Sequence, residues 1–124
     1  DNFLKEGLVI HGNSSLLHAL LRNLVENSIK YAGDDIRLHL ECHSRNDQTC
    51  YFTYYDTGKG VPEEHIDRIF ERFYRVSEGR TRESGGSGLG LSIVRNAVAF
   101  HGGEIKVENR PNGGLQFTFS LNIR

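Results

Sequence analysis

The chain has 124 residues, a formal net charge of −1 and 37% hydrophobic residues. That length suits one domain with a single core, and the mixed charge offers no basic footprint for nucleic acid or a membrane surface. No apolar run reaches membrane-spanning length, and no signal-peptide pattern opens the sequence.

In chain order, residues 3–10 (FLKEGLVI) end in an apolar run and are expected as a first strand. Asn13, Ser14 and Ser15 offer a choice of N-cap for a helix over 14–31, which Gly33 would stop. Leu17, Leu20, Leu21, Leu24 and Val25 form its apolar arc and are expected to face the core. Asn23, Asn27 and Lys30 share a narrow polar stripe on the same helix, with Tyr31 at its border. Amide oxygens can ligate a hard cation such as Mg²⁺, and an ammonium can meet the phosphates that the cation neutralises. Taken alone, such a stripe is also what the solvated rim of any amphipathic helix looks like.

Residues 35–43 (DIRLHLECH) alternate as a half-buried strand, 44–48 form a turn, and 49–55 (TCYFTYY) form an aromatic-rich strand. Asn46 and Asp47 suit the turn because their short side chains bond local backbone groups. Cys42 and Cys50 flank it and could lie near one another; with only two cysteines, reduced thiols are expected rather than a disulfide. Neither has partners at zinc spacing. A short helix is expected over 62–69, with Pro62 in its first turn, then anchors at Phe70 and Phe73. Residues 76–87 (VSEGRTRESGGS) have no periodicity and read as a mobile loop. Residues 89–100 return to helical spacing, closed by His101, Gly102 and Gly103, and 104–108 with 115–121 alternate as a final hairpin around a Pro-Asn-Gly-Gly turn. The fold class is therefore an α/β two-layer sandwich, a mixed and largely antiparallel sheet covered on one face by about three helices.

Two further stretches carry chemistry. Asp56-Thr57-Gly58-Lys59-Gly60 follows a strand directly. A carboxylate there can accept a hydrogen bond from an exocyclic amine, and the glycines let the backbone turn sharply beside a flat ring; in isolation the segment reads first as an ordinary acidic-Gly turn. Gly86-Ser87-Gly88-Leu89-Gly90-Leu91 opens a helix with free N–H groups suited to an anion. It follows a loop rather than a strand and lacks a GK[ST] ending, which excludes dinucleotide and Walker loops.

In fixed order, NLVENSIKY (23–31), DTGKG (56–60), FERFYR (70–75), GSGLGL (86–91) and GGLQF (113–117) resemble the N, first glycine, F, second glycine and third glycine boxes of sensor histidine kinases. These group with gyrase, MutL-type and chaperone ATPases, and the resemblance runs from about residue 16 to residue 119. It implies a Bergerat-type ATP-binding catalytic domain spanning 1–124. In that likeness Asn27 is the main Mg²⁺ ligand with Asn23 assisting, Lys30 reaches the phosphates and Tyr31 packs on adenine. Asp56 fixes the adenine amine, and Gly58 and Gly60 shape its pocket. Arg75 contacts the γ-phosphate, with Arg72 the second candidate. Ser87, Gly88, Leu89 and Gly90 serve the phosphates, and 76–86 is the ATP lid. Gly113 and Gly114 read as a sheet turn near the base pocket.

The resemblance also implies a cytoplasmic domain of a membrane-anchored sensor. Its partners would be ATP, a His-bearing dimerisation domain of the same parent and a response regulator downstream. The sequence contains no Met, so a fragment of a longer protein is expected. The phospho-acceptor pattern H-E-x-x-R is absent; His18 is its nearest match and is better explained as part of the Asn-bearing helix. His11, His39, His43, His65 and His101 lie in strands, turns or helix ends without partners, and none is assigned a catalytic role. The third glycine box departs mildly, with Leu115 where Thr is frequent. ATPases resembling this helix carry Glu one turn before the metal-binding Asn; here that position is Asn23, and an amide cannot take a proton from water. Glu26 projects roughly 100° away from Asn27. The kinase reading is favoured, beside an ATPase of the same group and a binding or interaction module without catalysis.

Overall fold

The computed structural model describes residues 12–31, 35–71 and 90–122. The strand expected over 3–10, the stop at Gly33, the anchor Phe73 and the loop at 76–87 lie outside the described residues. The elements in order are α1 (Ser14–Tyr31), β1 (Leu38–Arg45), β2 (Thr49–Asp56), α2 (Glu63–Ile66), α3 (Gly90–Phe100), β3 (Ile105–Asn109) and β4 (Leu115–Asn122). The strands lie in the order β1-β2-β4-β3, and every pair among the described residues is antiparallel.

Local chemistry sets the boundaries. Asn13 is the N-cap chosen for α1: its Oδ1 accepts from the Leu16 N–H at 3.0 Å. Asn46 builds the first hairpin turn by accepting from the Gln48 and Thr49 N–H groups at 2.8 and 2.9 Å. Pro62 stands at the N-cap of α2 rather than inside it, and the expected 62–69 helix is a four-residue helix continued by turns. At the end of α3, Gly102 takes φ +73°, and the Gly102 and Gly103 N–H groups return to Ala99 and Val98 O. This αL closure needs a residue without Cβ strain.

The sheet buries the alternating side chains Cys50, Phe52 and Tyr54 of β2 and Leu115, Phe117, Phe119 and Leu121 of β4. Leu20 and Leu24 of α1 and Val94, Ala97 and Val98 of α3 complete that core. Leu17 and Val25 are only partly buried, and Leu21 is 41% exposed, so the buried arc of α1 is narrower than its apolar sequence. Ser28, one turn beyond Leu24, occupies the core-facing position instead. Phe70 docks edge-on against Phe117, with centroids 6.1 Å apart.

The helices run in opposite directions, because Gly90 at the start of α3 meets Asn23 while His101 at its end meets Asn13. His101 is buried and holds two partners, which corrects the expectation that it has none: Nδ1–H donates to Ala97 O at 2.8 Å and Nε2 accepts from the Asn13 N–H at 3.0 Å. His39 and His65 also have partners, Glu41 at 3.0 Å and Glu64 at 3.8 Å.

Because His101 ties the end of α3 to the start of α1, His101→Ala leaves a backbone donor and acceptor without their ring partners. It is expected to lower the unfolding free energy by about 2–3 kcal/mol. His43→Ala, at an exposed strand position, is expected to change it by about 0.5 kcal/mol or less. Urea denaturation of both variants is the check, and equally small losses would contradict the anchoring role.

Candidate functional site

The core-facing side of the β2 end closes on a carboxylate. Asp56, the last residue of β2, is 2% exposed. Burying a charge requires partners, and three elements supply them. From α1, the Ser28 hydroxyl donates to Oδ2 at 2.9 Å. From the following turn, the Gly58 N–H returns to Oδ1 at 3.1 Å, the two-residue reach of an Asx turn. From β4, the Leu115 N–H donates to Oδ1 at 3.2 Å.

Ser28 also meets the Tyr54 hydroxyl at 2.9 Å. Since Ser28 spends its only proton on Asp56, Tyr54 must donate to Ser28, sharing that proton with Leu24 O at 3.3 Å. A directional relay Tyr54–Ser28–Asp56 results. Burial, with a smaller contribution from the nearby Asp56 charge, pushes the Tyr54 phenol up to about 12, although the Ser28 hydrogen bond pulls the other way. Ser28 was not singled out from the sequence. A hydroxyl one turn after Leu24, on the core-facing side of α1, is the signal that could have found it.

The glycines of the turn are held rather than loose. Gly60 has φ +74° and lies against Asn109, whose Oδ1 accepts from the Val61 N–H at 3.0 Å. The Asn109 amide then donates to Val61 O at 2.7 Å and to Glu63 Oε2 at 2.9 Å. One carboxamide thus fixes the loop from Gly60 into α2. Gly114 has φ +93°, and a Cβ there would collide with the Asp56 carbonyl. Gly113 and Gly114 are turn residues, as expected, and this contact places Gly114 against Asp56. Neither Asn109 nor Arg110 was found by sequence reasoning, because Val61 and Asp56, which they hold, are more than forty positions away.

Along α1, the Asn23 amide donates to Ala19 O at 2.7 Å, one turn back. Its Oδ1 is thereby directed towards the start of α3: a Cβ on Gly90 would sit 3.1 Å from it. Asn27, one turn further, is half-buried, and Lys30 is exposed. The structure therefore brings Asn23 to Gly90, and Asp56 to Gly58. Arg72, Arg75, Ser87, Gly88 and Leu89 lie outside the described residues, as does the side chain of Tyr31. Both cysteines are free; burial, reinforced by neighbouring Cys42, pushes the Cys50 thiol up, consistent with two reduced groups. No helix among the described residues is long and apolar enough to cross a membrane.

Comparison with known proteins gives a consistent likeness. Residues 12–124 match the family described as histidine kinase-, DNA gyrase B-, and HSP90-like ATPase. The chain is 38% identical over 120 residues to the signal transduction histidine-protein kinase BaeS of Escherichia coli K12, covering 97% of this chain and 26% of that protein. The chain thus spans about a quarter of that relative. Among solved structures, the mycobacterial sensor histidine kinase MprB superposes with TM-score 0.84 at 26% identity, covering 100% of this chain and 82% of that one. Histidine kinase ThkA, solved in complex with the response regulator protein TrrA, superposes with TM-score 0.73 at 26% identity, covering 100% of this chain and 34% of that one.

The buried relay makes an alkaline signature. The folded state holds the Tyr54 proton more tightly than the unfolded chain, whose phenol titrates near 10. The stability this adds is complete below pH 10 and is lost as pH climbs from about 10 to about 12. Tyr54→Phe is expected to be less stable than the parent at pH 8, with the difference shrinking by pH 11.5. Urea unfolding at both pH values is the check, and a difference that grows with pH would contradict the relay.

Proposed function

Because the chain belongs to the histidine kinase-, DNA gyrase B-, and HSP90-like ATPase family, as a catalytic ATP-binding domain of the sensor histidine kinases, we propose that it binds Mg-ATP and passes the γ-phosphate to a histidine on a separate dimerisation domain of its parent. The observation that carries the reading is the Asp56 carboxylate. It offers about four lone-pair positions, and the described residues use two on Oδ1 and one on Oδ2. The remaining capacity, on Oδ2, suits the 6-amino group of adenine, with Gly58 and Gly60 shaping the wall beside the ring. Tyr31 packs on the base.

The phosphate end uses the polar stripe of α1. Asn23 spends its amide N–H₂ on its own helix and holds Oδ1 towards Gly90, which leaves a hard oxygen of the type Mg²⁺ accepts. Asn27 and Asn23 would hold that ion, which when bound neutralises phosphate charge. Lys30 and Arg75 add positive charge at the β- and γ-phosphates. Ser87, Gly88, Leu89 and Gly90 supply backbone donors where α3 begins. With the phosphates so aligned, the acceptor imidazole nitrogen forms a bond to the γ-phosphorus as the bond to the bridging oxygen breaks and ADP leaves. Asn23 stands where an ATPase of this group needs a carboxylate, so water is not activated. The ThkA–TrrA complex supports a response regulator as the downstream partner, and a membrane-anchored sensor is the proposed parent.

Base recognition is tested by calorimetry: Asp56→Asn should weaken ATP binding by about 1–3 kcal/mol, and GTP, whose six-position is an acceptor, should bind poorly to the parent domain. Comparable affinities for ATP and GTP would overturn the assignment.

Transfer is tested with radiolabelled ATP and each domain alone, then mixed. This chain should bind ATP, hydrolyse it slowly and carry no label itself. Label should appear on the His-bearing domain after mixing, slowly, because separation removes the effective concentration a linker provides. Asn27→Ala should abolish that transfer with the fold intact. Acid-labile label on this chain alone, or rapid hydrolysis without a partner, would contradict the kinase reading.

A further inference from the structure

Asp56 is gripped from both sides of the sheet. Its carboxylate meets α1, the following turn and β4 on the core side, as described above. Its own backbone carbonyl is held by Arg110, from the turn that joins β3 to β4. One guanidinium nitrogen, Nη1, donates to Asp56 O and to Gly113 O, each at 3.2 Å. The Arg110 main chain closes the same turn: its N–H donates to Gly114 O at 2.8 Å, and its carbonyl accepts from the Gly113 N–H at 3.1 Å.

The guanidinium is itself fixed. Its central carbon lies 3.8 Å from the centroid of the Tyr55 ring, a cation–π contact. His39 stacks on Tyr55 at 4.6 Å with planes 17° apart, and Glu41 holds His39 at 3.0 Å. His39 comes from β1 and Arg110 from the β3–β4 turn, so the two reach Tyr55 from opposite flanks of β2. Tyr55 lies on the face of the sheet away from the core, next in sequence to Asp56. A column Glu41–His39–Tyr55–Arg110 therefore ends on the carbonyl of the residue whose carboxylate gathers α1, the Gly58 turn and β4.

We infer that Arg110 is a positioning residue for base recognition, acting through Asp56: stacked on Tyr55, it locks the Asp56 main chain to the β3–β4 turn and so sets where the carboxylate sits. The inference rests on the adenine reading given above. Two features favour positioning over a general charge effect. The contact is to a neutral carbonyl rather than to a carboxylate, so geometry is what the guanidinium supplies. The same turn leads directly into Leu115, the first residue of β4, whose N–H reaches Oδ1, so a shift of Arg110 moves a direct carboxylate donor. Lysine cannot replace this, because an ammonium has no flat face to stack while bridging two carbonyls.

The test combines nucleotide affinity with amide exchange on the apo domain. Arg110→Met should weaken ATP binding about tenfold, lower the ATP-to-GTP affinity ratio, and speed hydrogen exchange at the Gly58 and Leu115 amides. Arg110→Lys should lose nearly as much. Tyr55→Phe, which keeps the ring face, should be silent, and Tyr55→Leu should follow Arg110→Met; it carries the same outcomes if Arg110→Met fails to fold. In an Asp56→Asn background, Arg110→Met should cost little further affinity. Parent-like affinity and exchange in Arg110→Met, full retention in Arg110→Lys, or losses that simply add with Asp56→Asn would each overturn the positioning role. If Asp56→Asn alone leaves ATP affinity unchanged, the adenine reading falls, and amide exchange at Gly58 and Leu115 then decides the positioning claim alone.

Discussion

A carboxylate buried at the end of a central strand constrains everything around it. Asp56 is buried at 2% exposure, where an unpartnered charge would cost roughly several kcal/mol or be neutralised. Its donors come from a helix, a glycine turn and a strand that are far apart in sequence. Moving α1, the turn at Gly58 or β4 would strip the carboxylate of a partner. The fold and the candidate site are therefore specified by the same few hydrogen bonds. The β2–β4 pairing that brings Tyr55 opposite Gln116 also delivers the Leu115 N–H to Asp56.

The two ends of the site differ in construction. The Asp56 end is built from backbone donors, glycines at positive φ and a buried serine. The other end, along α1, offers amide oxygens and an exposed lysine on a helix surface. Phosphoryl transfer, the proposed reaction, asks mainly for alignment and charge neutralisation, which does not require a general base among these groups. The substitution of an amide for a carboxylate at Asn23 is consistent with that division. Its N–H₂ is tied to Ala19 O, so the residue presents an oxygen and accepts no proton.

Much of this was legible in the sequence, for identifiable reasons. Period-3.6 and period-2 patterns are local, and they placed α1 at its observed bounds and all four described strands to within a few residues. Asp56 was legible because it follows a strand and precedes two turn-forming glycines. Leu21 was misplaced because apolar identity marks an arc wider than the one the sheet and α3 cover. His101 looked partnerless because its partner is the Asn13 backbone, which no residue pattern announces. Asn109 and Arg110 were illegible for the same reason: each acts on a distant main-chain group that only the folded sheet brings near. Ser28 left one local trace, a hydroxyl one turn after Leu24, but its carboxylate partner is equally distant.

The central claim is that the Oδ2 side of Asp56 reads the 6-amino group of adenine. Calorimetric affinities for ATP and for purine riboside triphosphate, which differs by that amino group alone, test it most directly. Loss of a hydrogen bond to a buried carboxylate predicts binding weaker by about 10- to 100-fold for the deaminated analogue, with the difference disappearing in Asp56→Ala. Equal affinity for the two nucleotides in the unmodified domain would contradict the account.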